Sequence, residues 1–118
     1  MPSSQPLVRL RDIQENAGRI LHYIDGLGLE HFLADSVVQD AVERCLMRIS
    51  EAAVKLGPLG TALMPAHDWR KIRAIGNVFR HDYDKVDLDQ VWLIARDIIP
   101  DLKRDIDAAI QSFEGGER

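Results

Sequence analysis

A chain of 118 residues, 46% hydrophobic and 29% charged, has the length of one ordinary domain (residues 1–118) and enough apolar material for a single core. Its net charge of −4 argues against a protein that coats nucleic acid nonspecifically, which needs clustered Lys and Arg. No apolar run approaches the roughly 18 to 20 residues that cross a bilayer, so no membrane role is expected, and a single cysteine, Cys45, excludes both an internal disulfide and a cysteine-based metal cluster. The opening MPSSQPLVRLRD lacks the apolar core of a secretory signal, and the expected location is the cytoplasm.

Leu10, Ile13, Ala17, Ile20, Leu21 and Ile24 recur at steps of three and four, the spacing of one helix face, and Gly26 and Gly28 supply stop signals. Leu29 to Ala34 can make a short helical turn. Asp35 or Ser36 then caps a long helix running to Leu56, with Val38, Ala41, Val42, Cys45, Ile49, Ala52, Ala53 and Leu56 as its apolar set. Val37, Leu46 and Met47 widen that set beyond one core contact, so part of this helix is free to face a second subunit. GPLGTALMPAHD, residues 57–68, holds two prolines and two glycines and reads as a loop, with Asp68 as cap for a helix beginning at Trp69. A final helix starts near Asp87 and carries apolar residues from Leu88 to Phe113. Pro100 removes a backbone donor inside it, which predicts a kink there. With no alternating strand pattern to compete, the predicted architecture is all-α, an antiparallel bundle of four to five helices.

The segment WRKIRAIGNVFRHDY carries the chemistry. Residues 69–80 hold Arg70, Lys71, Arg73 and Arg80 with no acid, a basic island on an acidic chain. At about 100° per residue, Trp69, Ile72, Ile75, Phe79 and Tyr83 fall on one side and Arg70, Arg73, Asn77, Arg80 and His81 on the other. An imidazole with a reference pKa of ~6.5 can move a proton near neutrality, and a guanidinium beside it can hold phosphate charge; together they suit attack by a ribose 2′-hydroxyl on its own phosphodiester. Spacing alone also fits a solvated helix face. Asp82, Asp84, Asp87 and Asp89 lack the loop spacing of a calcium site and read as solvated charges and a helix start, and His22, His31 and His67 read as isolated structural or surface residues.

Two segments carry a resemblance. FLADSVVQDAVERCLMRISEAAVKL is similar to the V-Q-D-A-V-x-R and I-G-E-A-A segments of the HepT-type proteins of the HEPN superfamily, with Ser50 in place of the glycine and Glu51 at the acid. WRKIRAIGNVFRHDYDKVDLDQVW resembles the family's W-R-x-I-x-x-x-R-N-x-x-x-H-x-Y segment, matching at Trp69, Arg70, Asn77, His81, Tyr83, Val86, Asp87 and Trp92. The resemblance implies a HEPN-like helical homodimer acting as a metal-independent RNase toxin without a cofactor. It also implies pairing with a minimal nucleotidyltransferase antitoxin, as in type VII-like systems, which silences the toxin by transferring AMP to the tyrosine of H-x-Y, here Tyr83. His81 is then general base and acid, Asn77 an orienting group, and Arg70, Lys71 and Glu51 supporting or substrate-binding residues. One position departs: the family's catalytic arginine, five before the histidine, falls on Gly76. Either Arg73 or Arg80, flanking Gly76 on one side of the helix, supplies the missing guanidinium, or the chain is a noncatalytic HEPN dimer that binds or regulates.

Overall fold

Pro6 opens helix α1, Pro6–Ile24, where its missing N–H costs nothing. The computed structural model describes residues 5–81, 84 and 86–116, and of Arg80, His81, Gly115 and Gly116 the backbone alone. In α1 the expected face is buried, with Leu10, Ile13, Ala17 and Ile20 fully enclosed. Helix α2, Leu29–Ala34, buries Phe32 against Trp92, the ring centroids 5.4 Å apart. The Asp35 side chain accepts from the Val37 and Val38 amides, at 3.1 and 3.2 Å, and so caps α3, Ser36–Leu56. That helix stops at Gly57, whose φ of 64° suits a residue without Cβ.

The segment expected to be a loop holds a short helix, α4, Leu59–Leu63. Pro58 enters it already in helical geometry. The turn is then pinned from beyond it. Trp69 donates its indole N–H to the Met64 carbonyl at 2.8 Å, and its ring lies against Gly60, where a Cβ would stand 3.0 Å from the indole. Helix α5, Trp69–His81, is capped by Asp68, which accepts from the Lys71 amide at 3.1 Å. The last helical stretch starts beside Asp87 as expected, with the Asp87 carboxylate as its cap, as α6, Leu88–Leu93, passes through a π-helical turn, Ile94–Ile98, and continues as α7, Ile99–Gly116. The expected break at Pro100 therefore takes the form of a wider turn. The Ile99 amide bonds to the Ile94 carbonyl five residues back, and the proline falls at the second position of α7, in a first turn that leaves its absent donor without consequence.

No strand occurs among the described residues, and the fold is the all-α bundle that the periodicity predicts. α3 packs between α1 and α5, and α1 packs in turn on α7. The core runs from Leu10, Ile13 and Ile20 through Val42, Leu46, Ile49 and Leu56 to Ile99, Leu102 and Ile106. Each such side chain stabilises the fold by roughly 1.5–3 kcal/mol relative to exposure. Among the described residues no helix is long and apolar enough to cross a membrane.

Candidate active site

α5 presents Trp69, Ile72 and Gly76 to the interior and Ile75 and Phe79 partly so, while Arg70, Lys71, Ala74, Asn77 and Val78 face solvent. Gly76 thus lies on the buried side. What it meets there is Ser50 of α3, only 1% exposed. The Ser50 hydroxyl donates to the Arg73 carbonyl at 2.8 Å, and its oxygen accepts from the Gly76 amide at 2.9 Å. A single side chain is therefore hydrogen-bonded on both sides to the backbone of the helix that carries Asn77 and His81.

Arg73, expected on the polar stripe, is half-buried. It lines a cavity of about 690 Å³ with Val54, Gly57, Pro58, Thr61 and Ala62, at the corner between α3 and α4. Lys71 lines a different cavity, of about 340 Å³, with Asp97, Asp101 and Arg104. Glu51 faces a third, of about 220 Å³, with Arg9, Asp12, Asn16 and Arg48, and pairs with Lys55 at 3.3 Å. Arg70 is exposed on α5. Glu51, Lys71 and Arg73 thus open onto separate cavities. The side chains of Arg80 and His81, and all of Tyr83, lie outside the described residues.

Sequence reasoning missed three features. His67, read as isolated, places its ring nitrogen Nε2 2.7 Å from the Asp105 carboxylate on α7, and the hydrogen bonds from His67 and then Arg104 hold that carboxyl below its ordinary pKa. Near the C-terminal end of α5, Asp40, Glu43, Arg44 and Met47 of α3 line a cavity of about 400 Å³ with Phe79 and Val86. Burial, and then the neighbouring Asp40, raises the Glu43 carboxyl there. The third is the Ser50 bridge itself. The contacts His67–Asp105 and Ser50–Gly76 join residues 38 and 26 apart, beyond the reach of local periodicity. Cys45 is buried as expected, and that burial pushes its thiol up, away from the reactive thiolate.

Comparison with known proteins converges on one family. The sequence pattern described as "Ribonuclease HepT-like" matches residues 13–109. The chain is 28% identical over 115 residues to a candidate RNase of Methanocaldococcus jannaschii, spanning 98% of this chain and 95% of that protein. A protein of Thermococcus cleftensis named as a probable ribonuclease HepT is 32% identical over 94 residues, 80% of this chain and 86% of its own. No solved structure matches the chain significantly.

Proposed function

The chain belongs to the HepT-like ribonuclease family, and from that premise we propose that it is an endoribonuclease toxin that cleaves RNA by internal transfer, as a homodimer paired with a minimal nucleotidyltransferase antitoxin. The observation that carries this reading is the family match across residues 13–109, which includes Asn77 and His81 on one helix. His81 takes the proton of the ribose 2′-hydroxyl; the 2′-oxygen attacks its own phosphorus; the bond from phosphorus to the 5′-oxygen breaks. That oxygen receives a proton from imidazolium, leaving a 2′,3′-cyclic phosphate and a 5′-hydroxyl, and no metal enters the scheme. Asn77 orients the phosphate or the imidazole. Arg80 is the preferred phosphate clamp, because the half-buried Arg73 already lines the α3–α4 cavity. AMP placed on Tyr83 puts an anion two residues from His81, where it competes with the substrate phosphate for the same guanidinium.

A second reading has a specific observation behind it. Position 76, which carries the family's arginine, is a buried glycine here, and a HEPN dimer without that guanidinium would bind RNA or a protein partner without cutting. One assay separates the two. Purified protein is incubated with a mixed RNA substrate in EDTA, comparing wild type, His81→Ala, Arg80→Ala and Arg73→Ala. The RNase reading expects cleavage by wild type, a loss of about 100-fold or more in His81→Ala, and a larger loss in Arg80→Ala than in Arg73→Ala. Cleavage undiminished in His81→Ala would overturn the mechanism, and no cleavage by wild type would favour the binding dimer.

A further inference from the structure

We infer that Ser50 is a positioning residue for the RNase chemistry proposed above, setting the register of α5 through a hydroxyl bridge to the backbone of Arg73 and Gly76. The inference rests on that reading for its kinetic consequence, and on the geometry of the two helices for its structural one.

Ser50, which stands where the resembling α3 segment has glycine, and Gly76, which stands where the α5 segment has arginine, are in contact. The Ser50 oxygen lies 2.9 Å from the Gly76 nitrogen and 2.8 Å from the Arg73 carbonyl oxygen, with the serine 1% exposed. Inside a helix the amide of residue 76 is directed along the axis toward the carbonyl of residue 72, and side chains normally screen it from a neighbouring helix. A hydroxyl arriving from outside reaches that nitrogen most easily where residue 76 carries no Cβ. Gly76 supplies that opening. The serine then uses both its hydrogen-bonding capacities on one turn of α5, as donor to residue 73 and acceptor from residue 76.

Two bonds from one rotor fix more than distance. They resist sliding of α5 along α3 and rotation of α5 about its own axis, because either movement lengthens at least one of them. The turn so held ends directly before Asn77, and His81 follows one helical turn later. A general base misplaced by a fraction of an ångström loses rate while substrate binding, spread over many phosphate contacts, changes little.

The test combines kinetics with amide hydrogen exchange in the full chain. Ser50→Ala keeps the volume and removes the hydroxyl; the expected result is a tenfold or greater loss of kcat with KM within twofold, together with faster exchange at the amides of residues 76–79. Ser50→Thr, which keeps a hydroxyl, is expected to recover most of the loss. Gly76→Ala approaches the bridge from the other side and is expected to lower kcat in the same way, so the inference stays testable if one Ser50 variant folds poorly. Ser50→Ala with wild-type kcat and unchanged exchange on α5 would overturn it while leaving a His81-dependent RNase intact. If wild type cleaves no RNA, the RNase reading fails, and faster exchange in Ser50→Ala still supports the bridge as the element that holds α5.

Discussion

Glycine inside a helix costs about 1 kcal/mol relative to alanine, and a hydrogen bond between a buried hydroxyl and backbone returns an amount of the same order. Gly76 and Ser50 therefore make local sense only as a pair. Gly76 is buried and its amide meets Ser50 of α3, and a bulky side chain added at a buried position costs roughly 1–3 kcal/mol by overpacking. Gly76→Arg alone is accordingly expected to destabilise by about that much. Ser50→Gly loses the bridge and adds a second flexible helical position, for about 1–2 kcal/mol. The double variant Ser50→Gly with Gly76→Arg, which places at both positions the residues of the resembling segments, is expected to be more stable than the sum of the singles by at least about 0.5 kcal/mol. Urea unfolding of the four proteins measures this coupling, and simple additivity would mean that the two positions are independent. The resemblance marked Gly76 as the departing position, yet the side chain that its amide meets is 26 positions away on another helix.

At the scale of elements, the segment between α4 and α5 is fastened to α7 by His67 and Asp105, 2.7 Å apart, with the His67 ring set edge-on to Trp69 at 6.3 Å. The folded-state pKa of Asp105 is lowered, first by the hydrogen bond from His67 and then by that from Arg104. A carboxyl whose pKa falls on folding contributes stability that is present above its unfolded value, about 3.9 for aspartate, and is lost as pH falls through the lower folded value. Asp105→Asn is therefore expected to melt below wild type at pH 6, and the two melting temperatures are expected to converge as pH drops below about 4. Parallel curves from pH 6 to pH 3 would show that the ionised carboxyl contributes nothing. The elements differ in how far the sequence disclosed them. Asp35, Asp68 and Asp87 each stand before a helix as caps, because capping needs only a carboxylate and the next two or three amides. α4 was hidden, since its five residues lie between Pro58 and Pro65 and are held by Trp69 from outside. The π-helical turn before Pro100 was legible as an interruption and not as its form.

Across the whole molecule, the basic island on α5 sits on a chain of net charge −4, and a dimer that brings two such segments to one cleft would concentrate positive potential where RNA binds. Of the residues that widen the apolar set of α3 in the sequence, Leu46 is buried in the core, Met47 is half-buried and Val37 is exposed, while Val54, outside that set, is exposed as well. The inner residues of α3, Val42, Leu46, Ile49 and Ala53, fill the core, whereas Val54 remains 52% exposed, and Val78 on the adjoining α5 is 46% exposed. Isolated exposed valines are ordinary, but Val54 also lines the cavity with Pro58, Ala62 and Arg73, and Val78 stands on the helix that packs against α3, so the proposed dimer is tested at these two positions. A glutamate in a dimer contact is desolvated without a partner and costs several kcal/mol, while on a free surface it costs almost nothing. Val54→Glu and Val78→Glu are therefore expected to keep the helical circular dichroism and melting temperature of wild type measured at low, monomeric concentration. In sedimentation velocity each is expected to shift the species from dimer to monomer, raising the dimer dissociation constant at least about tenfold, and to lose RNA cleavage in step. Variants that still sediment as dimers would move the interface to another face, and a wild type that is monomeric at concentrations where it cleaves RNA would remove the shared cleft from the mechanism.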